Sequence, residues 1–187
     1  MIEYEVKVLD IDSEAFAKKV TDMGFAPQGE LSFRRFLFDT VPPDPNAIVR
    51  LRTDGKKSSL TYKSFLKDAI DGVKEIEVEV SDFDTCKQLL ETSGLAVSSY
   101  QENKRKIFLN PERPDMEITI DSWPGIPPYA EVEGKSVEDV EKTLAELEVD
   151  PEKVTSASPK AIYKLYGLDI FGYDVLSFEN LPPKLSD

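Results

Sequence analysis

The chain has 187 residues, 23 of them basic and 36 acidic, for a net charge of −13, with 40% hydrophobic and 10% aromatic residues. That is ordinary for a folded domain with a sizeable core, but too acidic for general nucleic-acid binding or adhesion to anionic membranes, which need clustered positive charge. With no histidine and one cysteine, Cys86, the chain has neither an internal disulfide nor imidazole catalysis nor His-ligated zinc, so its chemistry rests on carboxylates, amines, guanidinium groups and metal.

No apolar leader opens the chain and no run is long enough to span a membrane, so a cytoplasmic protein is expected, without membrane or nucleic-acid partners. The first strand carries Glu3, Glu5 and Lys7 on one face and Ile2, Tyr4, Val6 and Val8 on the other, because side chains alternate along a strand. A helix follows, capped by Asp12 or Ser13, with Phe16, Val20 and Met23 at helical spacing and Gly24 at its stop. Residues 32–39 read as an aromatic-rich second strand, ended by Pro42, Pro43 and Pro45. A strand through Arg50 and Arg52 meets one through Lys63 across Asp54-Gly55, a hairpin signal. The next strand, 73–80, alternates Glu75, Glu77 and Glu79 with Ile76, Val78 and Val80.

A second helix spans 83–93 between a cap at Asp82 and a stop at Gly94, with Cys86, Leu89 and Leu90 on its buried side and Cys86 as a core thiol. The strand over 100–109 contains Lys104, Arg105 and Lys106; two must point one way and one the other, and parity alone does not choose. Glu117, Thr119 and Asp121 then alternate with Met116, Ile118 and Ile120, and Glu131 and Glu133 with Ala130 and Val132. The apolar turn joining those strands, Trp123 to Pro128, either borders a ligand entrance or packs on the end of the fold. A third helix, 136–147, begins with a capping-box-like Ser136 and Asp139, and a short fourth helix after Pro159 carries Ile162, Tyr163 and Leu165. The tail from Phe171 to Asp187 is expected to be a loosely packed extension. No repeat or low-complexity linker divides the chain, so a single domain over 1–187 is expected, with its core over about 1–166.

The strands thus share one design, charged on one face and aliphatic on the other, in an α+β chain whose helices recur near 12–24, 82–94 and 136–148. This grouping predicts two similar halves, each an antiparallel sheet with helices on its apolar side. If the sheet curls into a barrel, its charged faces point inward, and desolvating each ion costs several kcal/mol, so the interior is wet or holds ions and a charged ligand. Carboxylates suit hard cations such as Mg²⁺ or Mn²⁺, and Arg and Lys suit phosphate oxygens. The plainer alternative is a solvent-facing sheet laced with cross-strand ion pairs.

The ordered set Glu3-x-Glu5-x-Lys7, Arg50-x-Arg52, Leu60-Thr61-Tyr62-Lys63, a Glu-x-Glu strand, a basic strand and Glu131-x-Glu133 resembles the CYTH superfamily over about residues 1–166. These are triphosphate tunnel metalloenzymes, including class IV adenylyl cyclases, thiamine triphosphatases and inorganic triphosphatases. The resemblance implies an eight-stranded antiparallel β-barrel, the triphosphate tunnel, with helices packed outside. It implies metal-binding carboxylates at Glu3, Glu5, Asp121, Glu131 and Glu133, with Glu75 as a further metal ligand and Glu75 and Glu77, on the middle acidic strand, in metal or water positioning. Phosphate ligands are implied at Lys7, Arg50, Arg52, Lys63 and Arg105, with Lys104 as the alternate to Arg105; Lys7, Arg52 and Glu77 are the catalytic candidates. Arg35 and Asn103 depart from the family pattern, Arg35 standing where an acid or amide is usual and Asn103 where a second base is common. The implied activity is Mg²⁺- or Mn²⁺-dependent hydrolysis of a small triphosphate, namely inorganic tripolyphosphate, thiamine triphosphate or a nucleoside triphosphate. Cyclisation of ATP to cyclic AMP and pyrophosphate is the alternative, and non-catalytic binding of a phosphorylated ligand a third. A homodimer is among the assembly states left open.

Overall fold

The structure, a computed structural model, describes residues 4–65 and 73–180. Among the described residues, strands in groups are separated by helices: β1 (Tyr4–Val8), α1 (Ser13–Asp22), β2 (Ala26–Asp39), β3 (Ala47–Thr53), β4 (Ser58–Phe65), β5 (Val73–Val80), α2 (Phe83–Thr92), β6 (Val97–Leu109), β7 (Glu117–Ser122), β8 (Tyr129–Gly134), α3 (Val137–Glu146), a two-residue β9 (Val154–Thr155), α4 (Pro159–Leu165) and a two-residue β10 (Val175–Leu176). The expected α+β class with an antiparallel sheet is what forms. β2 starts at Ala26, six residues before the expected boundary, so Pro27 and Gly29 do not stop it.

The chain groups into two compact units. Among the described residues the first comprises 4–31 and 104–170. In it β7 pairs antiparallel with β6 and with β8, β8 with β1, and β1 with the short β9. The even-numbered residues Val8, Phe108, Ile118, Ile120, Ala130 and Val132 bury one face against Phe16 and Val20 of α1 and Val140 of α3. α1 starts where the Asp12 carboxylate accepts from the Glu14 and Ala15 amides, and α3 where Ser136 Oγ accepts from the Asp139 amide. These caps satisfy donors that the first helical turn leaves free. Trp123 is buried edge-on against Tyr163 of α4, whose hydroxyl donates to the Pro124 carbonyl. The Trp123–Pro128 turn therefore starts as packing, not as an entrance.

The second unit comprises, of the described residues, 32–65, 73–103 and 171–180, in the strand order β5-β4-β3-β2. β3 and β4 form the expected hairpin about Asp54, whose carboxylate accepts from the Lys56 and Lys57 amides. Phe38, Leu51 and Phe83 form its core, with Val49, Leu60, Cys86 and Leu90 packed against them. The expectation for Leu89 fails: it is 65% exposed, because the buried side of α2 is the stripe through Phe83, Cys86 and Leu90. Ile76 and Val78 are also exposed, because β5 ends this run of strands and neither joins the core behind β3. The tail is better packed than expected. β10 pairs parallel with β6 at Tyr100 and Gln101, which buries Leu176 completely; residues 181–187 lie outside the described residues.

Candidate functional site

In the first unit the odd-numbered residues of the strands form the face opposite the helices. Register places Glu5 directly opposite Glu133, and Glu133 directly opposite Glu117, so three carboxylates stand in a row across β1, β8 and β7. One row further along, Lys7 is opposite Glu131 and Glu131 opposite Thr119. Next to it, Arg105 is opposite Asp121, and Asp121 opposite Tyr129. Lys7 is 6% exposed; its ammonium contacts Glu5 and lies 3.6 Å from Glu131. Arg105 makes a fork to Asp121, with Nε donating at 3.0 Å and Nη2 at 2.6 Å, and Nη2 also donates to Glu131. Planar two-point pairing of this kind fixes orientation as well as charge. A cavity of about 230 Å³ lies beside the carboxylate row, lined by Asp115, Met116, Glu117, Glu133, Gly134 and Lys135 among others.

Burial pushes the Glu131 carboxyl up to about 7, against the pull of Arg105 and with the like charges of Asp121 and Glu5 adding to the rise. Burial first, and then the Asp121 and Glu131 carboxylates, raise the Tyr129 phenol well above its ordinary value. A carboxyl that holds its proton more tightly when folded contributes stability that is complete below the unfolded value and lost as pH rises towards the folded one. Between about pH 4.5 and 7, Glu131 therefore destabilises the ligand-free protein progressively, by an amount on the order of 2–3 kcal/mol at pH 7. Glu131→Gln is expected to flatten that part of the stability profile, which urea titrations at pH 4.5, 6 and 7.5 will read; an unchanged slope places its titration elsewhere.

Hard oxygen donors concentrated on adjacent strands, with like charges directly opposed, suit a divalent cation, since such opposition costs free energy until a cation offsets it. As they stand, no group of three or more carboxylates among the described residues converges closely enough to hold one. Lys7 and Arg105 instead occupy Glu5, Asp121 and Glu131. The donor set fits a metal in kind, and a metal would have to take carboxylate oxygens from those two cations.

In the second unit the corresponding polar face has its own rows. Arg35, Arg52, Ser59 and Glu79 are successive cross-strand partners over β2, β3, β4 and β5, and Leu37, Arg50, Thr61 and Glu77 form the adjacent row. Arg50 Nη2 donates to Thr61 Oγ1 at 3.3 Å and lies 3.6 Å from Glu77, while Thr61 donates to Glu77 at 2.6 Å. The Thr61 hydrogen bond, with Arg52 and Arg50 nearby, holds the Glu77 carboxyl below its usual range. Lys63 pairs with Glu75 at 2.5 Å, and burial together with the nearby Arg50 charge lowers its ammonium pKa. The guanidinium of Arg52 lies over the Phe33 ring, 5.0 Å from its centroid.

The candidates thus fall into two sets. Glu5, Lys7, Arg105, Asp121, Glu131 and Glu133 share the polar face of the first unit, and Arg50, Arg52, Lys63, Glu75 and Glu77 that of the second. Glu3 lies outside the described residues. Lys104 is exposed and alternates to the face opposite Arg105, so the open choice on the basic strand goes to Arg105. The sequence places Glu117 on a charged face but does not single it out; only cross-strand register brings it opposite Glu133.

The CYTH domain family model matches residues 1–159. Among solved structures, the PH1012 protein from Pyrococcus horikoshii OT3 superposes with a TM-score of 0.69 at 20% identity, covering 86% of this chain and 99% of its own. A candidate adenylate cyclase from Vibrio parahaemolyticus gives 0.70 at 17% identity, covering 88% of this chain and 98% of its own. HpAC1 from Hippeastrum, a candidate adenylyl cyclase with a dominant triphosphatase activity, gives 0.61 at 20% identity, covering 91% and 100%. No curated protein matches the chain. At these identities the structural neighbours establish a common fold, and the family match over most of the chain establishes kinship: the chain belongs to the CYTH domain family.

Proposed function

We propose that this protein is a divalent-metal-dependent hydrolase of a small triphosphate, acting as one domain over residues 1–187. The observation that carries this reading is the supply of two complementary charge sets on polar sheet faces, carboxylates around Glu131 and cations around Arg52. Arg50, Arg52 and Lys63 bind and orient phosphate oxygens, with Glu77 and Thr61 holding Arg50 in place. Lys7 and Arg105 both pair with Glu131 in the ligand-free protein, Lys7 also with Glu5 and Arg105 also with Asp121, and so stand next to the carboxylates that would hold a metal. Glu5, Asp121, Glu131 and Glu133 would hold Mg²⁺ or Mn²⁺, which would supply charge neutralisation on the phosphate oxygens. Phosphoryl transfer needs mostly positioning and electrostatic stabilisation, both within reach of a chain that lacks histidine. Hydrolysis ranks above cyclisation to cyclic AMP, in keeping with the dominant triphosphatase activity of HpAC1.

Incubation with tripolyphosphate, thiamine triphosphate and ATP, each with Mg²⁺ or Mn²⁺, should release orthophosphate; cyclic AMP with pyrophosphate would establish the cyclase instead. Tripolyphosphate with Mg²⁺ at about a hundred times its Kd should add roughly 2.7 kcal/mol of stability, a melting-temperature rise of several degrees. Sulfate at matched ionic strength should not; an equal rise with sulfate would point to a solvent-facing charged sheet with no site, and a specific rise without turnover to a binding module.

A further inference from the structure

The apolar side of the second unit is only partly covered. Two strand rows run across it from β3 to β5, Leu51–Leu60–Val78 and Val49–Tyr62–Ile76. α2, the one helix of this unit among the described residues, packs its Phe83 on Phe38 of β2 and Leu51 of β3. Its flank through Asp84 and Lys87 turns to β2: Asp84 lies 3.7 Å from Arg34, and the Lys87 ammonium lies over the Phe36 ring, 5.0 Å from its centroid. At about 100° per residue, the opposite flank of the helix, Thr85, Leu89 and Thr92, looks out over β4 and β5. This leaves an open groove. Leu89 forms one wall and Ile76 and Val78 the other, at 65%, 56% and 53% exposed, with the half-buried Leu60 and Tyr62 between them.

Neither wall carries a carboxylate: the β5 acids Glu75, Glu77 and Glu79 alternate to the other face, and the acids of α2, Asp84 and Glu91, take its other flank. In a chain of net charge −13, such a strip is where two like-charged molecules can meet without opposing their acids. Contiguous exposed apolar surface of this kind marks a contact site. We propose that the groove is the interface of a two-fold homodimer, in which Leu89 of each copy seats against Leu60, Tyr62, Ile76 and Val78 of the other. Ridge and groove lie side by side on one surface, which is the condition for a self-complementary contact, because a two-fold axis exchanges them. Each copy then covers the outer face of β4 and β5 that its partner's own α2 does not reach, and takes Leu89, Ile76 and Val78 out of water. A strongly charged partner would find no carboxylate to pair with on these walls, whereas a second copy meets apolar with apolar.

Sedimentation velocity on the full chain over about 1–200 μM should show a monomer–dimer equilibrium that moves to dimer with concentration. Leu89→Glu and Val78→Glu each bring a charge into both symmetry-related halves of the contact, and each should raise the dimer Kd about 100-fold or more. Leu165→Glu is the control, because Leu165 of α4 is 67% exposed and belongs to the other unit, and it should leave the equilibrium unchanged. All three replaced side chains are more than half exposed, so melting curves should stay close to the native one. Ile76→Glu takes the place of either groove variant that fails to melt cooperatively. A native chain that stays monomeric throughout that range, a dimer that survives either groove substitution, or one that Leu165→Glu dissociates equally overturns the interface. Turnover is no part of the readout, so none of these outcomes bears on the triphosphatase reading.

Discussion

Replacing Arg52 by alanine is expected to weaken tripolyphosphate binding by about 2–5 kcal/mol, roughly 30- to 4,000-fold, whereas Lys56→Ala changes it by less than about twofold. Both residues are cationic and four positions apart. Arg52, however, stands in a strand row between Arg35 and Ser59, lies over Phe33, and is close enough to Glu77 and Lys63 to shift both of their titrations. Lys56 sits exposed in the β3–β4 turn, where its charge is screened by water and counterions. Isothermal titration in the presence of Mg²⁺ measures the difference. Equal effects of the two substitutions would mean that the polar face of the second unit is not where the phosphates bind.

Glu133→Gln is expected to lower turnover by several kcal/mol of transition-state stabilisation, roughly a thousandfold or more, without unfolding the chain. The glutamine keeps the shape and removes one oxygen charge from a row in which Glu133 faces Glu5 on one side and Glu117 on the other. Relief of that opposition should leave the ligand-free melting temperature equal to or above the native value, so loss of activity and loss of fold separate cleanly. Glu5→Gln should behave alike, and excess chelator should reproduce the loss in the native protein, reversed by Mg²⁺ or Mn²⁺. Full turnover in excess chelator would remove the metal from the scheme.

Much of this was legible in the sequence because the informative pattern is local. Alternation along a strand assigns Glu5 and Lys7 to one face and Val6 and Val8 to the other whatever surrounds them, and the β1 register with β8 keeps that assignment. Caps at Asp12, Asp82 and Ser136 are equally local, since the donors they satisfy lie within three residues. Leu89 departs from the sequence pattern because its burial depends on which stripe of α2 meets the sheet, and the tail because its partner, β6, lies some seventy-five residues earlier.

By itself, then, the sequence determined the main strands and helices, apart from the start of β2 and the short β10 of the tail, and which side chains share a charged face, because those properties follow from periods of two and 3.6 and from end-capping chemistry. Only the tertiary structure decided which charges meet. Register between strands distant in sequence opposed Glu117 to Glu133 and Arg35 to Arg52, turned Arg105 rather than Lys104 toward Asp121, and drew Lys7 between Glu5 and Glu131. A shift of one residue in any of those pairings would move every side chain to the other face, and nothing in a single strand's composition specifies its partner's register.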